Sequence, residues 1–361
     1  MLPNQNIKPN KVLILALSGI GDALMFTPAL QLLKKNLPDT EFDALVMYKG
    51  VEQIYNRLPQ IDNVLFYDFL NSNFISALKF LFSVRKKYDI TINVYPSNRK
   101  EYNIISFFIG AKIRAAVNYL RQSKRNFNFL NTNLIAEIDT LHNVEENVKL
   151  SEIVTQKKTD KIPELLFPLN EEDISVSTNF LTENEISEDQ IVVGFHPGCS
   201  TLKNHIKRRW EPEKFAELAS KLSAEFNAII FLFGGKEEKE LRRLIIEKSN
   251  AEKIIEVSAG NIAQSAAVMK RCDVFVSNDS GLMHIAASQK LKIVSIIGPT
   301  NTNYIHPWKT EYKTASLNLE CSPCFYYSPK PLECHREDVK FKCIKELSVE
   351  SVFEKVKGYL I

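Results

Sequence analysis

The chain has little excess charge and no long apolar run. Its 361 residues carry 46 basic and 43 acidic side chains, which leaves a formal net charge of +3. So small an excess does not favour nucleic acid as a partner. A membrane-spanning helix needs roughly 18 uninterrupted apolar residues, and the best candidate segment, Phe74 to Val84, is shorter and contains Lys79. We therefore expect at most a peripheral contact with a membrane.

The chain also lacks the features of a secreted protein. Its start, Met1 to Asn10, is polar and has neither the apolar run nor the small-residue cleavage site of a signal peptide. Only six cysteines are present, and in a cytosolic protein we expect them to be reduced, buried or metal-bound rather than paired in disulfides. The composition is that of a folded globular protein, and the length suits two domains. A cytoplasmic location is the expectation.

Apolar, β-branched runs alternate with helical periodicity in both halves of the chain. The first predicted strand, Lys11 to Leu17, is followed by a glycine turn and by a helix through Leu33. Further strands are predicted at residues 41–46, 64–66, 90–94, 191–195, 228–233, 253–256, 274–277 and 293–297. Helices are predicted at residues 51–58, 74–87, 212–226, 237–248, 262–271 and 280–289. This alternation predicts an α/β fold, with a parallel sheet covered by helices in each half.

The periodicity weakens between Gln122 and Pro168, and the polar segments at residues 157–163 and 170–173 look like exposed connecting chain. We therefore predict one Rossmann-like domain over residues 1–165 and a second over residues 166–345. A C-terminal helix over residues 346–361 is expected to pack back on the first domain. The carboxyl ends of the strands in the two domains would line a shared cleft, where open α/β sheets bind ligands.

Four polar loops with glycines follow strands of the second half, at residues 196–201, 234–238, 278–281 and 298–301. Ser280 and Gly281 open a helix, where free N–H groups can bind a phosphate. His284 lies one turn further along, although a lone helix histidine is more often structural. Together the loops favour a nucleotide diphosphate site over chance turns. Their binding candidates are Gly198, Ser200, Thr201, Gly234, Asp279, Ser280, Gly281 and His284.

The glycine turn of the first half is a weak cofactor signal, because Leu24 stands where a dinucleotide motif has its third glycine. Gly19 and Gly21 let the backbone approach a ligand. Asp22 either caps the following helix or acts on the substrate, and taken alone the cap is favoured by roughly two to one. Arg99 and Lys100 follow a strand end within a basic region that contains several Phe and Tyr residues. They are the best candidates for binding an anionic acceptor.

Three blocks in this order resemble the heptosyltransferase family, also called glycosyltransferase family 9. They are Val12 to Leu33, His196-Pro197-Gly198 followed by Lys207 to Trp210, and Asp279 to His284 followed by Gly298-Pro299-Thr300. The resemblance extends from Lys11 to the last helix. It implies a GT-B fold, in which two Rossmann-like domains face a central cleft. The first domain would hold the acceptor and the second a nucleotide-diphosphate sugar, most simply an ADP-sugar.

The resemblance also implies a reaction. A sugar, heptose from ADP-heptose, would pass with inversion and without a catalytic metal to a lipopolysaccharide core or related cell-envelope glycan, at the inner face of the cytoplasmic membrane. Asp22 occupies the place of the general base. Arg208 stands where the family has a lysine that meets the diphosphate, and Lys207 beside it is the other candidate. Glu238 matches an acidic residue near the donor ribose, with a solvated charge at a helix start as an equal alternative.

The cysteines near the C-terminus have metal-ligand spacing. Cys321, Cys324, Cys334 and Cys343 form a C-x2-C-x9-C-x8-C pattern, and four thiolates would hold a structural zinc or iron ion. A reduced surface loop or a pair of disulfides is equally compatible with the pattern, because a second C-x-x-C is missing.

Two other functions share this architecture. One is a sugar-nucleotide epimerase, which would release a free sugar nucleotide and need no acceptor. The other is a non-catalytic protein that binds nucleotide sugars. Asp22 and Asp279, each with its neighbouring glycines, favour the transferase.

Overall fold

The computed structural model describes residues 8–326 and 330–361, and the chain divides into two units, Met1–Leu166 and Phe167–Ile361. Most of the polar start, Met1 to Asn10, lies outside the described residues. Each unit contains a six-stranded sheet whose neighbouring strands are all parallel. The predicted α/β class is therefore confirmed in both halves.

The first unit alternates strands and helices from its start. Its strands are β1 (Lys11–Ala16), β2 (Glu41–Val46), β3 (Asn63–Phe66), β4 (Ile90–Asn93), β5 (Ile113–Asn118) and β6 (Asn133–Ala136). Its helices are α1 (Ile20–Asn36), α2 (Lys49–Tyr55), α3 (Phe74–Val84), α4 (Lys100–Ile109) and α5 (Asn143–Thr155). The strand order is β3-β2-β1-β4-β5-β6. This is the Rossmann order, and its switch point lies between β1 and β4.

The second unit repeats this topology. Its strands are β7 (Val192–His196), β8 (Ile229–Leu232), β9 (Ile254–Glu256), β10 (Val274–Asn278), β11 (Ile293–Ile296) and β12 (Tyr312–Ala315). Its helices are α6 (Glu171–Glu183), α7 (Pro212–Phe226), α8 (Lys239–Lys248), α9 (Ile262–Met269), α10 (Gly281–Ser288), α11 (Thr302–Ile305), α12 (Lys342–Lys345) and α13 (Val349–Leu360). The order β12-β11-β10-β7-β8-β9 puts the switch point between β7 and β10.

The central strands β4, β7 and β10 are buried along their whole length because helices cover both faces of each sheet. In β1 every residue from Val12 to Ala16 is buried. In the second unit Trp210, Phe215 and Phe231 are among the largest fully buried side chains. Parallel pairing of buried strands brings their carboxyl ends to one edge of the sheet. The loops that follow β1, β4, β7 and β10 therefore lie at the two switch points.

One sequence prediction about chain organisation is wrong. The segment from Asn170 to Asp173, predicted as connecting chain, is the start of α6. The Asp173 backbone N–H donates to Asn170 Oδ1 at 3.0 Å, and the Asn170 N–H donates to Asp173 Oδ2 at 2.9 Å. This reciprocal capping satisfies two N–H groups at the helix start. Polar residues that look like loop are therefore a helix cap here.

The last helix, α13, belongs to the second unit. Its apolar side, which includes Val352, Phe353 and Val356, is buried in the same core as Trp210 and Phe215. Helix α7 and strands β10, β11 and β12 contact this helix, and its packing on the first domain stays a prediction. Across residues 8–326 and 330–361, none of the helices has both the length and the apolar character needed to cross a bilayer.

Candidate functional site

Two loops meet at the switch point of the second unit. His196 ends β7 and Asn278 ends β10, and these strands are direct neighbours. The Asn278 side chain ties the loops together, since its Nδ2 donates to Pro197 O at 2.7 Å and its Oδ1 accepts from Trp210 N at 3.0 Å. Asn278 is fully buried, so these bonds form in a low-dielectric setting. The loop positions are therefore fixed by the protein itself.

His196 and Ser280 are joined at the start of α10. The Ser280 Oγ lies 2.9 Å from His196 Nδ1 and 3.1 Å from Ser277 Oγ. Ser280 is the N-cap residue of α10, yet its side chain makes no capping bond to that helix. Burial, with smaller contributions from the nearby Arg209 and Arg242, lowers the pKa of His196 to about 3. His196 is thus neutral at physiological pH, and the first N–H groups of α10 lack a side-chain cap.

A buried ion pair follows β10 directly. The Arg208 guanidinium donates to the Asp279 carboxylate, and Thr300 Oγ1 donates to the same Asp279 Oδ2 at 2.7 Å. The guanidinium also lies 5.2 Å from the centre of the Phe325 ring. Arg208 and Asp279 are 8% and 7% exposed. Asp279 therefore orients Arg208, and the pair combines a fixed cation with the start of α10.

Lys207 does not share this position. Its side chain is exposed, whereas Arg208 next to it is buried. In the preceding turn Lys203 and Asn204 both adopt left-handed backbone conformations, with φ of 51° and 63°. Left-handed residues other than glycine are uncommon and are concentrated at functional loops. Ser200 and Thr201, at the start of this loop, are exposed.

Glu238 packs against Gly234 of its own loop and against Gly198 of the loop that follows β7. A Cβ on Gly198 would come within 2.5 Å of Glu238 Oε1, and Gly234, at φ +154°, lies close to the same side chain. The Glu238 carboxylate accepts from Gly235 N at 2.7 Å and lies 3.9 Å from Arg209 Nη2. Only 13% of its side chain is exposed. It is therefore not the freely solvated charge that one interpretation of the sequence allowed.

His284 lies inside α10, one turn after Gly281. It is 3% exposed, and within the part of the chain that the structure describes its Nδ1 makes no hydrogen bond. Burial lowers its pKa to about 4, with a smaller opposing effect from Asp279. A buried nitrogen without a partner costs about 1–3 kcal/mol unless something satisfies it.

Asp22 lies in the first turn of α1, at the switch point of the first unit. The N-cap residue is Gly19, not Asp22, and Gly21 follows in the same turn. Burial raises the pKa of Tyr48, and the Asp22 carboxylate raises it further. The same two effects, with burial the larger, act on Tyr55, Tyr102 and Tyr119. Asp22 is thus close to a group of tyrosine hydroxyls.

The loop after β4 approaches Asp22 from the neighbouring strand. Ser18 Oγ donates to Pro96 O at 2.7 Å, and Tyr102 OH donates to Leu17 O at 2.8 Å, which ties this loop to the glycine turn. Burial raises the pKa of Tyr48 and of Tyr102, and Arg99 lies close enough to both side chains to oppose part of that rise. Its Nε is buried without a hydrogen-bond partner among the described residues. Lys100, the first residue of α4, is exposed.

The four C-terminal cysteines do not form the predicted metal site. All four are free thiols, and the described residues contain no group of three or more His, Cys, Asp or Glu side chains that could hold a metal ion. Phe341 N donates to Cys334 Sγ at 3.2 Å, and Arg336 Nη1 donates to Cys321 Sγ at 3.5 Å. Burial, with smaller effects from the other three thiols, raises the pKa of Cys343 to about 11. The spacing pattern alone was insufficient to define a zinc or iron site.

Some residues of these sites were not candidates from the sequence. Thr300 and Arg209 lie within the motif blocks of the second half, but their roles depend on contacts with Asp279 and Glu238. Tyr48 and Tyr102 follow no motif. A tyrosine just after a predicted strand end, as Tyr48 is after β2, would have been the available signal.

The sequence matches the family model described as glycosyltransferase family 9 (heptosyltransferase) over residues 78–334, more than half of the chain. Lipooligosaccharide heptosyltransferase 2 of Campylobacter jejuni serotype O:6 is 26% identical over 355 residues, which cover 96% of this chain and 98% of that protein. A crystal structure of a family 9 glycosyl transferase from Veillonella parvula has a TM-score of 0.70 and 23% identity, covering 84% of this chain and 85% of that chain. The structure of Escherichia coli ADP-heptose LPS heptosyltransferase II has a TM-score of 0.73 and 19% identity, and the match covers 97% of this chain and 98% of that chain.

These structural likenesses confirm the predicted GT-B class of fold, with two parallel-sheet α/β domains. The family match identifies the protein as an enzyme that transfers glycosyl groups. The chain belongs to glycosyltransferase family 9, the heptosyltransferase family.

Proposed function

We propose that the protein transfers a heptosyl group from ADP-heptose to a sugar of a lipopolysaccharide or lipooligosaccharide core. The names of its relatives support this donor and this class of acceptor. The observation that carries the proposal is the buried pair of Arg208 and Asp279 beside the uncapped start of α10. It offers a diphosphate a fixed cation and free N–H groups at one switch point.

In the proposed reaction the acceptor hydroxyl oxygen attacks the anomeric carbon from the side opposite the diphosphate. The new C–O bond forms as the bond to the β-phosphate oxygen breaks, so the configuration inverts and ADP leaves. The Asp22 carboxylate accepts the hydroxyl proton. Its place among tyrosine hydroxyls at the first unit's switch point supports this role over that of a cap.

The leaving ADP needs positive charge around its phosphates. Arg208 supplies a guanidinium held by Asp279, and the N–H groups of Ser280 and Gly281 supply the positive end of a helix. These groups have the charge to stabilise a departing diphosphate, and we propose a reaction without a catalytic metal. Lys207, being exposed, is assigned no contact with the phosphates.

The other donor candidates surround this position. Glu238 is proposed to accept hydrogen bonds from the ribose, since Gly235 N–H holds its carboxylate in place. Gly198 and Gly234 leave room for that side chain. His284 is proposed to use its unpaired Nδ1 on the donor sugar nucleotide. Ser200 and Thr201 complete the proposed donor loop.

The first unit is proposed to hold the anionic acceptor. Arg99 lies beside Tyr48 and Tyr102, with Gly19 and Gly21 in the turn before Asp22 and Lys100 exposed at the start of α4. Because such an acceptor is a glycolipid, we place the reaction in the cytoplasm at the inner face of the membrane. The epimerase alternative is not favoured, because the matching family consists of glycosyltransferases.

The test is transfer by the purified protein from ADP-heptose to a heptose-acceptor core oligosaccharide. We expect the acceptor to gain one heptose by mass spectrometry, the product to have the inverted anomeric configuration by NMR, and the rate to be unchanged by EDTA. Retained configuration, or a rate abolished by EDTA and restored by a divalent cation, would contradict the mechanism. Release of an epimerised sugar nucleotide without acceptor would overturn the transferase assignment.

A further inference from the structure

Helix α3 of the first unit exposes large apolar side chains to solvent. Phe74 is 76% exposed, Ile75 66% and Phe82 58%, and Leu70 in the preceding loop is 53% exposed. Ile75 and Phe82 are seven residues apart, two turns along one side of the helix. A cluster of exposed apolar side chains of this size on one helix is a sign of an interaction surface.

The exposure is not a result of poor packing. The other side of α3 carries Leu81 and Val84, which are buried in a core with Leu13 and Ile105. The helix start is also capped, since Ser76 N donates to Asn73 Oδ1 at 2.9 Å. The outer face is therefore presented by a helix that is fixed on its inner side.

The charged side chains of the same segment are all positive. From Phe69 to Tyr88 the sequence has no Asp or Glu, whereas Lys79, Arg85, Lys86 and Lys87 are all exposed. These cations lie next to the end of α4, because Lys86 N donates to Ile109 O, the last residue of that helix, at 2.7 Å. There the exposed rings of α4 extend the apolar surface, Phe107 at 48% and Phe108 at 37%.

We propose that this surface docks on an anionic lipid bilayer. The surface, which we call the α3 face, consists of Leu70, Phe74, Ile75, Lys79, Phe82, Arg85, Lys86 and Lys87. Apolar and aromatic side chains enter the boundary between headgroups and acyl chains, while cations bind the headgroup phosphates. This combination anchors a protein at a membrane surface without a spanning helix.

Charge favours a bilayer over a second copy of the chain. In a symmetric dimer through the α3 face, each patch would meet its own copy. Four cations from each copy would then face one another with no carboxylate in the segment to pair them. Such like-charge contacts oppose association, whereas anionic lipid supplies the missing negative charge.

The position of α3 relates the surface to the acceptor. Leu70 and the start of α3 follow the carboxyl end of β3, and Asp22 and Arg99 follow the carboxyl ends of β1 and β4 in the same parallel sheet. The apolar start of the α3 face thus lies at the sheet edge that carries the acceptor candidates, whereas Arg85, Lys86 and Lys87 lie at the other end of α3, before the start of β4. This step rests on the proposed function, whereas lipid binding by the α3 face does not.

The test is co-sedimentation of the full-length protein with phosphatidylcholine vesicles that contain or lack phosphatidylglycerol. We expect binding to the anionic vesicles that weakens as salt is raised. Phe74→Gln, Ile75→Gln and Phe82→Gln combined should lower the partition coefficient by at least about tenfold, because apolar burial is lost. Lys79→Gln, Arg85→Gln and Lys87→Gln combined should lower it by about fivefold for each cation removed.

Two matched controls separate this surface from general properties. Lys157→Gln, Lys158→Gln and Lys161→Gln remove the same net charge from exposed lysines elsewhere, and Ile174→Gln with Ile246→Gln remove exposed apolar side chains from α6 and α8. Neither should change vesicle binding. Circular dichroism and ADP affinity, which depends on the second unit, should match the wild type in every variant, showing that the fold is intact.

The proposal fails if wild-type protein ignores anionic vesicles, if the α3 variants bind them as the wild type does, or if the controls lose as much binding. It also fails if the wild type forms a dimer that the α3 substitutions dissociate, because the face would then belong to a second copy. Vesicle binding needs no sugar donor. Absence of heptosyl transfer with normal vesicle binding would therefore overturn only the proposed function.

Discussion

Arg208 and Asp279 form an ion pair in which each side chain keeps only 10% of its surface exposed. Asp279 also accepts a hydrogen bond from Thr300, so its carboxylate has two fixed donors. A buried charge without its partner is strongly destabilising, and each residue therefore depends on the other.

Arg208→Ala should weaken ADP binding by at least about tenfold, the loss expected for hydrogen bonds to a charged group. Arg208→Lys should recover part of the affinity, since an ammonium keeps the charge but cannot reproduce the guanidinium geometry. Isothermal titration calorimetry with ADP measures both. The matched control is Lys207→Ala, which removes the exposed neighbour and should leave the affinity unchanged. Equal losses in the Arg208→Ala and Lys207→Ala variants would contradict the assignment.

Asp22→Asn should lower kcat by about a hundredfold or more while leaving ADP affinity nearly intact, because an amide cannot accept the acceptor proton. The measurement is steady-state release of ADP in the presence of acceptor, with ADP affinity measured separately. Asp160→Asn, at an exposed position in the segment between the units' sheets, is the control. Near-normal kcat in the Asp22→Asn variant would leave Asp22 with only a role at the helix start.

Gly198→Ala should reduce donor affinity by displacing Glu238. The new Cβ would lie 2.5 Å from Glu238 Oε1, too close for the carboxylate to keep its position. Overpacking of this kind costs about 1–3 kcal/mol. Gly235→Ala is a matched control in the neighbouring loop, where the nearest atom, Glu238 Oε2, would be 3.4 Å away. The measurement is the affinity of each variant for ADP, which should be lower for Gly198→Ala than for Gly235→Ala. Equal affinities would show that Glu238 does not contact the donor.

His284 should make the second unit less stable as the pH falls. Its pKa is 6.5 in the unfolded chain and about 4 in the folded protein, because burial disfavours the charged imidazolium. Asp279 opposes this fall in pKa, and His306 adds to it. Between these values the unfolded chain binds more protons. The free energy of unfolding should therefore fall as pH drops from 6.5 towards 4, by up to about 1.4 kcal/mol per pH unit from this group.

Urea unfolding of the wild type and of His284→Gln between pH 7 and pH 4.5 measures this contribution. The variant should lose stability less steeply than the wild type over that range, since its side chain cannot take up a proton. His335→Gln, at an exposed position, should keep the wild-type slope. Parallel curves for the wild type and His284→Gln would show that His284 is not held neutral by the fold.

The elements with strong periodicity were predictable from local sequence. The buried strand β2 and the amphipathic helix α7 have the predicted bounds, because apolar residues at periods of 2 or 3.6 determine which side of an element is buried. Helix α6 was missed because its first turn is polar and its Asn170 cap resembles a loop. The switch points could also be predicted, since parallel strands bring their carboxyl ends to one edge.

What the sequence by itself determined is the α/β class, the family and the loops that carry the candidates. Only the tertiary structure decided which neighbour in each loop is buried: Arg208 rather than Lys207, and a packed rather than a solvated Glu238. For the four cysteines with metal-ligand spacing, the described residues contain no group of three or more side chains that could hold an ion. The physical reason is that periodicity and spacing are properties of neighbouring residues along the chain. Ion pairs, buried carboxylates and metal sites depend instead on groups that folding brings together from distant positions, as it does Arg208 and Asp279.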